Sequence, residues 1–139
     1  MYRGARMNAQ SLRVLVADDD HPYSALLKKS LTDHGYLVTV SNSGEETLTC
    51  LQKDLFDIVL LDFKMEGTNG INVLQWMYGR KMNTPVILIT SHGGDEIFEE
   101  AFKWGAEEYF IKGEMDTIRL PVLVEQVFSK YQARRERSK

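Results

Sequence analysis

The sequence predicts an open, doubly wound α/β domain in which five short parallel strands alternate with five helices. Three observations predict it. Residues 12–17, 58–61 and 86–89 contain unbroken apolar stretches rich in β-branched side chains, each bounded by polar or turn residues; this is how strands covered by helices on both faces read. Segments with apolar residues at helical spacing lie between them. Parallel strands also need crossover connections, nearly always right-handed, so a β-α order repeated five times leaves few other arrangements.

The elements follow in order. The first strand is built on Val14, Leu15 and Val16. Residues 22–34 place Ala25, Leu26, Leu27 and Leu31 on one side of a helix and Lys28 and Lys29 on the other, with Gly35 as the residue just past its end. A weaker strand is expected over 36–40. Ser43 and Glu46 form a capping-box pattern opening a helix through Leu48 and Leu51. After the strand at 58–61, Asn69 or Gly70 begins a third helix with Ile71, Leu74, Trp76 and Met77 as its apolar members. After the strand at 86–89, Asp95 is expected to cap a fourth helix carrying Ile97, Phe98, Ala101 and Phe102. A second weak strand is expected over 108–111. The last helix is expected to start near Pro121, a good first-turn residue, and to run through Val124, Val127 and Phe128.

A length of 139 residues suits one domain, divided into a flexible leader (1–11), the folded domain (12–131) and a basic tail or linker (132–139). Hydrophobic residues make up 43%, enough for a real core, and charged residues 27%. The net charge of −3 carries no whole-chain signature of nucleic-acid binding. Arg134, Arg135 and Arg137 form a short basic run without interleaved aromatics, so no direct nucleic-acid contact is expected. The single cysteine, Cys50, rules out an intrachain disulfide and a cysteine metal cluster, fits a reducing cytoplasm, and reads as an apolar filler on a helix. No apolar stretch approaches the ~20 residues that cross a bilayer, so no membrane insertion is expected. Residues 1–11 carry Arg3 and Arg6 but no apolar run and are not a secretory signal. His21 and His34 lack metal-ligand spacing and read as surface residues.

In doubly wound sheets the working site lies at the carboxyl ends of the strands, so functional residues should stand where each apolar run stops. The first run stops at Asp18, Asp19 and Asp20, the third at Asp62, the fourth at Thr90 and Ser91, and the fifth at Lys112. Singly, an Asp after a strand is a turn residue, a Thr a good strand former and a Lys a solvated charge. Converging at one sheet edge, they describe a site. Clustered carboxylates repel unless a cation neutralises them, and a hard divalent cation such as Mg²⁺ prefers oxygen ligands. Asp62 is placed as a nucleophile toward phosphorus, with the cation and Lys112 offsetting charge on the phosphoryl oxygens and Thr90 donating a hydrogen bond.

Residues 14–20 (VLVADDD), 57–67 (DIVLLDFKMEG), 85–91 (PVILITS) and 105–112 (GAEEYFIK) together resemble, in order and spacing, the four signature blocks of response-regulator receiver domains of two-component signalling. The resemblance covers residues 12–131. It implies a flavodoxin-like five-stranded sheet in the order 2-1-3-4-5. It implies that Asp18 and Asp19, with Asp62 and the backbone carbonyl of Lys64, hold Mg²⁺. Asp62 would take a phosphoryl group from a sensor histidine kinase or a phosphotransfer protein. Thr90 would close on that group, and Tyr109 would rotate inward behind it, changing the face formed by the fourth helix, fifth strand and fifth helix. Lys112 would be the active-site lysine. Such a domain is a cytoplasmic signalling switch rather than an enzyme, acting only on its own phosphoryl group. The output partner is not specified, and a homodimer is left open.

The sequence departs from the family pattern in three places. Glu66 stands where proline is usual, Asn69 where Asp is frequent, and Gly113 follows the lysine where proline is normal. A cis bond before a non-proline costs about 2.5–4 kcal/mol, so a trans bond and a more mobile loop are expected at Gly113, with residues 114–119 lengthening the connection to Pro121. Lys64 and His92 flank the phosphoryl site; Lys64 either attracts phosphate or faces solvent, and His92 reads as a loop residue. Asp20 reads as a polar loop residue. A haloacid-dehalogenase-type phosphatase needs a second acid where this chain has Lys64, and an FMN binder would not place three aspartates against a phosphate. A receiver-like module that binds partners without phosphorylation is opposed by the full set Asp18, Asp19, Asp62, Thr90 and Lys112.

Overall fold

The computed structural model describes residues 11–91, 94–113 and 115–137. Residues 1–10 of the expected leader, His92 and Glu114 lie outside the described residues. The chain runs β1 (Arg13–Ala17), α1 (His21–Asp33), β2 (Leu37–Ser41), α2 (Gly44–Lys53), β3 (Ile58–Asp62), α3 (Gly70–Gly79), β4 (Val86–Thr90), α4 (Asp95–Lys103), β5 (Glu108–Ile111) and α5 (Asp116–Arg137). The five strands are parallel and stand in the order β2-β1-β3-β4-β5, as the resemblance implied.

Period-two alternation divides the core into two layers. Val14, Val16, Ile58, Leu60, Ile87, Ile89 and Phe110 pack toward α1 and α5, against Leu27, Leu31, Leu120, Val124 and Phe128. Leu15, Val59, Leu61, Val86 and Leu88 pack toward the other helices, against Leu51, Val73, Leu74, Met77 and Ala101. Every residue of β3 and β4 is buried, which is why their sequences are apolar without alternation.

The helix starts show how local chemistry fixes the chain. Asp20 is the N-cap of α1, its carboxylate accepting the Tyr23 N–H at 3.0 Å; what reads as a loop residue in sequence fixes where α1 begins. Ser43 caps α2 by accepting from the Glu46 N–H, while the Glu46 carboxylate accepts from Asn42, one residue earlier than a strict capping box requires. Asn69 caps α3 in a reciprocal pair with Asn72. The N-cap of α4 is Gly94, without a side-chain cap, and Asp95 is the first helical residue rather than the cap. After α1, Gly35 takes a left-handed backbone (φ 91°), as expected of a residue closing a helix.

The expected start of the last helix at Pro121 is corrected. Helix α5 begins at Asp116, so residues 116–119 are helical rather than a lengthened connection, and Pro121 lies inside the helix. Proline lacks the N–H that would bond the Thr117 carbonyl one turn back. The Ser30 hydroxyl of α1 donates to that carbonyl instead, and Tyr36 donates to the Pro121 carbonyl at 3.3 Å. The proline is tolerated because a neighbouring helix takes over the freed acceptor. At its far end α5 continues through residues 132–137, the stretch read from sequence as tail or linker. No described helix is long and apolar enough to cross a membrane.

Gly70 opens α3 beneath the strand carrying Asp62, and a Cβ there would stand 2.4 Å from the Asp62 carbonyl oxygen. Gly79, at the other end of the same helix, has open space at that position. Gly70→Ala is therefore expected to lower unfolding stability by about 2–3 kcal/mol. Gly79→Ala is expected to be neutral or to raise it by up to about 1 kcal/mol. Urea midpoints of the two variants against wild type check the pair.

Candidate functional site: a carboxylate cluster at the strand ends

The pleat aligns the site. Asp18 follows Val14 and Val16 in alternation, Asp62 follows Ile58 and Leu60, and Lys112 follows Phe110, and all of those apolar residues belong to the α1/α5 layer. Asp18 and Lys112 stand one residue past their strands, and Asp62 is the last residue of β3. One phase of three strands thus brings two acids and one ammonium to the same edge. Tyr109 shares a register position with Leu88, on the opposite face.

The Lys112 ammonium lies 2.7 Å from Asp18 Oδ2 and 3.6 Å from Asp62 Oδ2. Asp18 is fully buried and Asp62 is 4% exposed. Asp18, Asp19 and Asp62 each direct a carboxylate oxygen to within 4.8 Å of the others. Asp18 Oδ1 accepts the Asp20 N–H at 2.9 Å, and Asp19 Oδ2 accepts the Glu66 N–H at 3.2 Å. Asp18 Oδ2 is buried, with the Lys112 ammonium as the donor against it. Three carboxylates converging against a single ammonium leave negative charge to neutralise, and an all-oxygen group suits a hard cation. The cluster floors a cavity of about 560 Å³ lined in part by Asp19, Asp62, Lys64, Thr90 and Lys112. Thr90 is buried at the end of β4, and its carbonyl accepts the Lys112 N–H at 2.8 Å.

Burial raises the Asp62 carboxyl to about pH 7 from the usual carboxylate range, and the neighbouring Asp18 charge adds to the shift. The Lys112 ammonium and the Lys64 backbone N–H pull the other way and do not cancel it. Tyr109 is half-buried; its hydroxyl accepts the Gly94 N–H at 3.2 Å and its ring lies 4.6 Å from that of Phe98.

Two residues at this edge were not singled out by sequence. Tyr23 of α1 places its ring under the Lys112 ammonium, 4.5 Å from the centroid, and donates its hydroxyl to Asp116 at 2.5 Å. Burial, then that hydrogen bond, raises the Tyr23 hydroxyl well above its ordinary range, so it stays protonated. Asp116, at the first turn of α5, is 4% exposed and accepts the Gly113 N–H at 3.0 and 3.2 Å. The sequence signals were an aromatic three residues past an N-cap and an acid three residues past Gly113; neither means anything until α1 and α5 are side by side. The described residues contain no cis peptide bond, so the bond before Gly113 is trans as expected.

The family model described as response regulator receiver domain matches residues 14–124. The chain belongs to the response-regulator receiver family. Its relatives include the transcriptional regulatory protein ZraR of Escherichia coli strain K12, 34% identical over 106 residues, covering 76% of this chain and 24% of that protein. The two-component response regulator ARR14 of Arabidopsis thaliana is 39% identical over 103 residues, covering 73% and 27%. The chain spans about a quarter of the length of these curated relatives. Among solved structures it is similar to the response regulator TrrA of Thermotoga maritima in complex with Mg²⁺-BeF, at TM-score 0.75 and 29% identity, covering 84% of this chain and 98% of that one. This receiver chain is a signalling domain with an acidic pocket at its strand ends.

The raised Asp62 carboxyl has a consequence for stability. Its folded-state value lies above the ~3.9 of an unfolded Asp, so the folded state holds the extra proton between those values. Stability from this site is therefore present at low pH and lost as pH rises from ~4 through about 7. Asp62→Asn is expected to stabilise the metal-free protein by roughly 1–3 kcal/mol at pH 8, with the gap closing by about pH 4. Urea unfolding at both pH values in a chelator checks the sign.

Proposed function

We propose that this receiver accepts a phosphoryl group on Asp62 from a sensor histidine kinase or a phosphotransfer protein and releases it by hydrolysis. The supporting observation is the set of distances at the strand ends. One partly buried ammonium faces the carboxylates of Asp18 and Asp62, at the mouth of a cavity wide enough for a phosphoryl group.

In this reading an Asp62 oxygen attacks the donor phosphorus. The O–P bond forms as the N–P bond of the donor phosphohistidine breaks, and the leaving imidazole keeps the electron pair and takes up a proton. Lys112 carries positive charge to the side of Asp62 where the phosphoryl oxygens gather negative charge, and Thr90 supplies a hydroxyl on the cavity wall. Mg²⁺, held by Asp18, Asp19, Asp62 and the Lys64 carbonyl, would supply the remaining charge neutralisation for in-line transfer. Lys64 is exposed at the rim of this cavity, with its backbone N–H toward Asp62.

The aspartyl phosphate carries more charge and more acceptors than the carboxylate, and so competes for the donors around it. In this reading Thr90 and Tyr109 relay that change to α4, β5 and α5. Phe98, Phe102, Ile111, Ile118 and Val122 are exposed there, an apolar face suited to an output partner or a second copy of the chain. We assign the function to residues 12–131, with 1–11 as a leader and 132–139 as a basic extension, and place the domain in the cytoplasm.

Beryllofluoride with Mg²⁺ is expected to shift the amide NMR spectrum of the wild type, with the largest changes at the ends of β1, β3 and β4. Asp62→Asn is expected to abolish the response and any transfer of radiolabel to the chain from a phosphohistidine donor. Lys112→Ala is expected to slow phosphorylation by small-molecule donors roughly 100-fold. A wild type that ignores both reagents would sink the proposal.

A further inference from the structure

Resting on that reading, we propose that Tyr23 is a positioning residue for Lys112, and that it works through a circuit made possible by glycine at 113. The ring of Tyr23 carries the Lys112 ammonium at 4.5 Å. Its hydroxyl donates to Asp116, and the Asp116 carboxylate accepts the N–H of Gly113, the residue bonded to Lys112. The circuit therefore starts and ends at the lysine. Its backbone is pinned by the bond from Lys112 N–H to the Thr90 carbonyl, and its tip is held between the ring and the two carboxylates.

Proline at 113 would have no N–H to give, so the circuit cannot exist in a chain with proline there. Glycine is not required by space, because a Cβ at 113 would meet nothing within 4 Å. What the position uses is the donor. Asp116 is nearly fully buried, and among the described residues its donors, Tyr23 and Gly113, both belong to this circuit. A buried carboxylate needs its donors, so the circuit is maintained by the cost of breaking it. Tyr23 in turn is placed by the Asp20 cap that starts α1.

A lysine stem is flexible, and its ammonium would otherwise sample positions nearer solvent. The ring adds a cation–π contact in a partly desolvated setting and blocks that escape. Its contribution should appear only when the ammonium is present.

The test measures beryllofluoride affinity with Mg²⁺ by calorimetry for Tyr23→Phe, Tyr23→Leu, Gly113→Ala and Gly113→Pro, each alone and with Lys112→Ala. Tyr23→Leu is expected to weaken binding by about 5- to 30-fold, and Tyr23→Phe, which keeps the ring, by roughly 2- to 5-fold. Gly113→Ala is expected to stay within about 2-fold of wild type and Gly113→Pro to fall with Tyr23→Leu. In the Lys112→Ala background the Tyr23 substitutions are expected to add less than about 2-fold. Equal losses in both backgrounds would mean a merely structural Tyr23 and overturn the proposal. So would a Tyr23→Leu that binds like wild type. If Tyr23→Leu does not fold, the same comparison is read from Tyr23→Phe and Gly113→Pro. A wild type that binds no beryllofluoride overturns the phosphoacceptor reading itself, and this inference falls with it.

Discussion

The contact between the Lys112 ammonium and the fully buried Asp18 carboxylate governs the architecture around it. Removing a carboxylate from water is costly, and removing one partner of a buried pair leaves the other charge stranded. Asp18 and Asp62 crowd each other because β1 and β3 are neighbours in the sheet. Lys112 comes from β5, separated from β3 by the whole of β4, or about 10 Å at ordinary strand spacing. Only a long stem can carry a charge that far while its backbone stays hydrogen-bonded to Thr90. The strand order therefore dictates a long cationic side chain at this position.

Both proline departures in the sequence acquire a common physical meaning. Glu66 and Gly113 each stand where proline is usual, and each uses the backbone N–H that proline lacks. The Glu66 N–H bonds Asp19, and the Gly113 N–H bonds Asp116. The loop after β3 is also held from α2, since the Glu45 carboxylate accepts from the Thr68 N–H and hydroxyl. That hydrogen bonding lowers the Glu45 carboxyl below its ordinary value. These loops are shaped by amide-to-carboxylate bonds rather than by ring constraint.

Much of this was legible from the sequence because it rests on short-range patterns. The runs around Val14, Ile58 and Val86 mark strands buried on both faces, and Asp18, Asp62, Thr90 and Lys112 mark where those strands stop. Less was legible wherever a residue depends on a distant partner. Pro121 looks like a helix start until Ser30 supplies a donor to Thr117 from 87 positions away. Tyr23 and Asp116 look like surface residues until 93 positions of chain are folded to bring them together. Asp20 and Asp95 show the narrower difficulty of choosing a cap. Either residue type suits the position, and only backbone geometry decides that Asp20 takes it and that Gly94 stands ahead of Asp95.

The helix starts differ in how firmly they are held. On one face of the sheet α1 has an aspartate cap and is laced to α5 by Ser30 and Tyr23. Sliding either helix would strand a carbonyl or a carboxylate. On the other face α4, unlike the capped α2 and α3, starts at a glycine with no side-chain cap, shows Phe98 and Phe102 to solvent, and reaches the sheet through Ala101 and the partly buried Ile97. Its start meets β5 through the Gly94 amide on the Tyr109 hydroxyl and the Phe98 ring against the Tyr109 ring. A helix held at its start by so few bonds has little to lose by yielding when the strand ends beside it change.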